Sequence, residues 1–149
     1  MSIIIAGRSR KASIMTNLIE LTISGIAFGG AGIGRYRGQV FFVPGTAPGE
    51  IVLVEPLAQH KTYRRARLAA IVQPSPDRCP SGCPLAVQPM RRHPATSPFC
   101  AGCAFQHLSY ASEVKIKLAQ LNEMLVHAGC TESVAADSIP APQPLGYRN

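Results

Sequence analysis

Asn17-Leu18-Ile19-Glu20-Leu21-Thr22-Ile23 opens the patterned part of this 149-residue chain. Ile19, Leu21 and Ile23 alternate with Glu20 and Thr22, the two-residue period of a strand with one buried face. After it, Gly29-Gly30-Ala31-Gly32-Ile33-Gly34 reads as a glycine-rich bend. Gln39 to Val43 is a short apolar run ended by Pro44-Gly45, and Ile51-Val52-Leu53-Val54 is another, introduced by Ala47-Pro48-Gly49-Glu50. A last strand runs from Thr62 to Val72. Its even positions Ala66, Leu68, Ala70 and Val72 are apolar, and Tyr63, Arg65 and Arg67 share the opposite face. Four to five short strands within about sixty residues, separated by glycine and proline turns, predict a mainly β fold: a small OB-like barrel that leaves few open edges.

Past Pro74-Ser75-Pro76 the β pattern stops and cysteines begin. Cys79-Pro80-Ser81-Gly82-Cys83 and Cys100-Ala101-Gly102-Cys103 bring four thiols into one proline-punctuated loop. In a reducing compartment such thiols converge to hold a metal or a cluster, because thiolates are soft ligands and disulfides are disfavoured there. The spacing leaves open which metal it is. Next, Val114, Leu118, Leu121, Leu125 and Ala128 form one stripe of an amphipathic α-helix, with Ser109 or Ser112 as N-cap and Gly129 just past the end. The expected organisation is a flexible leader over 1–15, the barrel over 16–76, the cysteine loop over 77–108, the helix over 109–129 and a proline-spaced linker over 130–149.

Fifteen Lys and Arg against eight Asp and Glu give a formal charge of +7, which favours a polyanionic partner such as nucleic acid. With 46% hydrophobic residues the chain has the means to build a core, and no apolar run approaches a signal sequence or a membrane span, so the expectation is a cytoplasmic protein. Lys61, Tyr63, Arg64, Arg65 and Arg67, extended by Arg35 and Arg37, form the candidate RNA-binding patch, since arginine contacts phosphate and tyrosine stacks on unpaired bases. A solvated strand face is the plainer alternative for the same residues. Gly30-Ala31-Gly32-Ile33-Gly34 imitates a dinucleotide-binding turn, but such a turn must open a helix, and here a strand follows. Cys130 has no readable base beside it and is expected to be a half-buried structural thiol. His107 fits a residue packing the loop onto the helix, and His60, His93 and His127 fit solvated surface positions.

Gly25 to Arg37, Val40-Phe41-Phe42-Val43-Pro44-Gly45, Pro48-Gly49-Glu50, Lys61 to Arg67 and Ser75-Pro76-Asp77-Arg78-Cys79-Pro80 together resemble, in order, the TRAM domain of RNA uracil-C5 methyltransferases. Cys100-Ala101-Gly102-Cys103-Ala104-Phe105-Gln106-His107-Leu108-Ser109-Tyr110 is similar to that family's cysteine signature, and Gly146-Tyr147-Arg148-Asn149 to the motif opening its next subdomain. The resemblance covers about residues 17 to 149. It implies a 4Fe–4S cluster with Cys79, Cys100 and Cys103 as ligands, while Cys83 is an extra thiol available as the fourth. Zinc held by the same four cysteines is the alternative. It also implies that the S-adenosylmethionine-binding Rossmann domain and the catalytic residues lie beyond Asn149, so none is assigned here and S-adenosylmethionine is expected only in the complete enzyme. The expected role is the RNA-binding and iron–sulfur portion of an enzyme acting on structured RNA, on ribosomal rather than transfer RNA. A separate catalytic chain is implied if the gene is split. The alternative is a freestanding TRAM-type RNA-binding protein with a zinc knuckle.

Overall fold

The computed structural model describes residues 18–81, 103–130, 135 and 137–143, in which five strands close into a barrel. They are β1 (Ile19–Ile26), β2 (Ala31–Tyr36), β3 (Gln39–Pro44), β4 (Ile51–Gln59) and β5 (Tyr63–Gln73). Around the barrel the order is β1-β2-β3-β5-β4, with β4 pairing back onto β1. All pairings are antiparallel except β3 with β5, which is parallel. This closure satisfies every edge, as the OB-type expectation required. Leu21 and Ile23 from β1, Phe41 and Val43 from β3, Val52 and Val54 from β4, and Ala66 and Leu68 from β5 fill the interior.

The glycine-rich stretch is the first correction. Only Phe28 to Gly30 turns, and Ala31–Tyr36 is a full strand paired along β3. Glycine recurs within β2 because its inward face has no room for a side chain: a Cβ on Gly32 would lie 1.9 Å from Thr46 Oγ1, and one on Gly34 would lie 3.3 Å from Leu21. The Thr46 hydroxyl is fully buried and donates to the Val43 carbonyl at 2.9 Å, so it cannot swing aside without losing that bond. Gly32→Ala is therefore expected to cost about 1–3 kcal/mol through overpacking. Urea unfolding measures it, and an unchanged midpoint would show that the β2 glycines are not there for space.

Val72 is the second correction, being 54% exposed rather than part of the core. The β4–β5 register shifts between Leu53 and Val54 and again between Ile51 and Val52, so Val52 pairs with Ile71 and Ile71 takes the place against the core. A bulge adds one residue and inverts the alternation beyond it. No simple period-two reading survives that.

Helix α1 (Tyr110–His127) starts at Ser109, whose hydroxyl accepts from the Ser112 amide. It ends in a Schellman arrangement: Gly129 takes φ +87°, its amide donates to Val126 O, and the Cys130 amide donates to Leu125 O. Among its residues only Ser112 is buried, and Leu121 on the expected stripe is 46% exposed. Gln120 fastens the helix to the barrel, donating to the Ile26 carbonyl at 2.9 Å. No described helix is long and apolar enough to cross a membrane. The leader over 1–15, Cys83, Cys100, His93 and the Gly146–Asn149 motif lie outside the described residues.

Candidate nucleic-acid interface

Strand register places the basic residues. Arg35 on β2 pairs with Val40 on β3, which pairs with Tyr63 on β5. In the adjacent row Ile33 pairs with Phe42, which pairs with Arg65. Gly32, Gly34, Phe41 and Val43 point inward, so both rows belong to the outer face. Arg35, Tyr63 and Arg65 thus meet across three strands. Arg35 and Arg65 are exposed, and neither makes an ion pair among the described residues.

The other predicted residues divide. Arg67 lies on the same face of β5, but its guanidinium is paired with the Glu55 carboxylate on β4. Arg64 takes the alternate direction and donates to Gln59 Oε1. Arg37 follows β2 with φ 49°, its guanidinium 5.2 Å from the Tyr36 ring centroid. Lys61 is exposed in the turn before β5.

Tyr63 is not a free stacking surface. The His60 ring stacks on it at 4.3 Å between centroids, and Phe42 meets it edge-on at 5.3 Å. His60 is exposed, as expected of a surface residue, and its ring belongs to this aromatic group. Beside it, Phe28, Phe42, Leu57, Tyr63 and Arg65 line a groove of about 580 Å³. Phe28 and Leu57 are 80% and 54% exposed. Sequence reasoning missed Phe28 and Phe42. The signal for Phe42 was its alternation with inward Phe41 and Val43; for Phe28 it was a large aromatic directly before Gly29-Gly30, where a turn leaves it no core to enter.

A second set of contacts ties the cysteine segment to the barrel. Glu50 is fully buried, and Arg78 grips its carboxylate with Nε to Oε1 at 2.5 Å and Nη2 to Oε2 at 2.9 Å. The Ala47 and Ser75 amides also donate to Glu50, and Arg78 Nη2 reaches the Gly45 carbonyl at 2.7 Å. Burial alone would raise the Glu50 carboxyl; the hydrogen bonds and charge of Arg78, with the two amides, outweigh it and hold the group below the ordinary carboxylate value. His107 donates from Nε2 to the Thr46 carbonyl at 2.9 Å, and burial lowers its pKa. It anchors its segment to the barrel, not to the helix as the sequence reading had it.

Arg78 also forms an isolated β-bridge with Leu108, and the next residue is Cys79. The Cys79 amide donates to His107 O, and its thiol donates to Gln106 O at 3.6 Å. Cys103 is an exposed free thiol, and Ala104 beside it touches the barrel so closely that a Cβ on Gly30 would lie 2.6 Å from its own. Cys130 is free and exposed rather than half-buried, because the helix cap that holds its amide leaves the thiol in solvent. Among the described residues no three His, Cys, Asp or Glu side chains converge as a metal-holding group.

Residues 17–68 match the TRAM domain. An uncharacterized RNA methyltransferase of Synechocystis sp. is 34% identical over 134 residues, spanning 89% of this chain and 27% of that protein. A 23S rRNA (uracil(1939)-C(5))-methyltransferase of Tolumonas auensis is 31% identical over 136 residues, spanning 91% of this chain and 28% of that one. The chain thus spans about a quarter of the length of these curated relatives. In fold it is similar to the Pyrococcus abyssi tRNA (uracil-54, C5)-methyltransferase crystallised with S-adenosyl-L-homocysteine, with a TM-score of 0.53 and 24% identity, covering 83% of this chain and 24% of that one. Residues 17–68 are thus a TRAM domain, and over about nine tenths of its length the chain is similar to part of proteins named as RNA methyltransferases.

Proposed function

We propose that this chain is the RNA-binding portion of an S-adenosylmethionine-dependent RNA uracil-C5 methyltransferase, working in the cytoplasm on a structured ribosomal RNA. The observation that carries the reading is the outer face of the barrel, where Arg35 and Arg65 stand unpaired in neighbouring cross-strand rows beside Tyr63 and Phe42. Guanidinium groups there hold phosphates, and the rings beside them offer bases an apolar wall. Methyl transfer itself belongs to the remainder of a complete enzyme. Filter binding of single-stranded ribosomal RNA fragments to this chain across a salt series tests the reading: affinity falling linearly in log–log form is expected, and absence of binding at low salt would overturn it.

Cys79, Cys100 and Cys103, with Cys83 available as the fourth ligand, would hold a 4Fe–4S cluster through their thiolates. Free thiols at Cys79 and Cys103 suit that chemistry, since a cluster or zinc takes thiolates. Protein purified without oxygen is expected to carry iron and sulfide, and Cys103→Ser to lose both. Cys130→Ser keeps them, because Cys130 sits in the cap of α1, away from the bridge that positions Cys79. Stoichiometric zinc in colourless protein would replace the cluster by the zinc reading.

A further inference from the structure

The groove beside Arg65 has a shape that phosphate binding alone does not explain. Phe28 stands 80% exposed at its rim, an arrangement that costs hydration free energy unless something covers the ring. The turn that presents it is firmly held. Gly29 and Gly30 take φ +93° and +90°, the Ala27 amide donates to Ala31 O at 2.8 Å, and the Gly30 amide donates to Ala27 O at 2.9 Å. On either side, Gln120 grips the Ile26 carbonyl and Ala104 packs against Gly30. The backbone that carries Phe28 is thus held in place while its ring stands exposed.

We infer that this groove is a subsite for one unpaired nucleobase of the RNA, stacked on Phe28 against the Leu57 wall, with the adjoining phosphate on Arg65. Three observations choose that occupant over an apolar peptide. Arg65 lines the groove, is exposed and has no ion-pair partner among the described residues, so its guanidinium is free to take an anion beside the apolar group. Arg35, one row away, continues the positive track that a nucleic acid backbone needs. The volume of about 580 Å³ falls within the range of small-molecule pockets, roughly 300–1,000 Å³, and so has room for one base. Tyr63, closed on one face by His60, forms part of the wall and not the platform. The base must be unpaired, because a base within a duplex offers no free face.

This rests on the RNA-binding reading, and the test separates the two. The chain has no tryptophan, so Phe28→Trp introduces a single indole that can be excited apart from the four tyrosines, on a side chain exposed enough for the exchange to leave the fold intact. Titration with an oligouridylate is expected to quench it by stacking, while an abasic oligomer of equal charge binds more weakly and leaves the emission unquenched. Phe28→Ala is expected to weaken oligouridylate binding about 5- to 150-fold with the salt slope unchanged, and Phe28→Tyr to restore it. Salt-dependent binding with no quenching and no loss in Phe28→Ala would overturn the subsite and leave the RNA-binding reading standing. No binding at low salt would overturn both.

Discussion

Replacing Arg78 by Ala is expected to lower the free energy of unfolding by about 3–5 kcal/mol near neutral pH, because it strands the fully buried Glu50 carboxylate without its partner. The Ala47 and Ser75 amides remain, but they do not replace a two-pronged guanidinium. The sign of the pH dependence follows from the direction of the Glu50 shift. In the parent, the carboxyl is held below its unfolded value, so its stabilisation is present above that value and lost as pH falls through the folded pKa. In Arg78→Ala burial dominates and the carboxyl rises above its unfolded value, so the variant gains from protonation. The gap between the two is therefore widest near neutrality and narrows toward acid. Urea unfolding near pH 7 and near pH 4 measures both arms. Pairing Arg78→Met with Glu50→Gln should recover much of the loss, since no uncompensated charge is then left inside. A gap below about 1 kcal/mol at neutral pH, or one that does not change with pH, would mean that Glu50 is already solvated or neutral.

The same pair shows what a sequence discloses and what it withholds. Pro48-Gly49-Glu50 reads as a turn, and Asp77-Arg78 as polar residues before a cysteine; nothing in their spacing says that residues 28 positions apart meet in the interior. Strand existence was legible because Ile19, Leu21, Ile23, Ala66 and Leu68 repeat with the pleat, and barrel closure followed from having no edge to spare. Gly32 and Gly34 misled because glycine signals both a free backbone and a close approach, and only the buried Thr46 hydroxyl and Leu21 decide between them. Val72 misled because a bulge is a property of two strands, invisible in either alone. The basic patch was legible as composition. Which of its members are free was not, since Glu55 comes from another strand and Gln59 from the far side of a turn.

That distinction sets the second large effect. Arg35 and Arg65 are unpaired, so replacing both by Ala should remove two phosphate contacts and flatten the log–log salt dependence of RNA binding by about 1.4, at roughly 0.7 per contact on a single strand. Across a tenfold rise in salt the variant then loses about 25-fold less affinity than the parent. Arg67→Ala should flatten the slope by less than Arg65→Ala, because the Glu55 carboxylate already neutralises Arg67 and repels a nearby phosphate. Glu55→Ala should act in the opposite sense, releasing Arg67 and steepening the slope by up to about 0.7. Equal effects from Arg65 and Arg67 would show that the Glu55 pair opens when RNA arrives, which a half-exposed ion pair worth only about 0–1 kcal/mol permits. An unchanged slope in the Arg35, Arg65 double variant would remove this face from the RNA path altogether, whatever Phe28 does beside it.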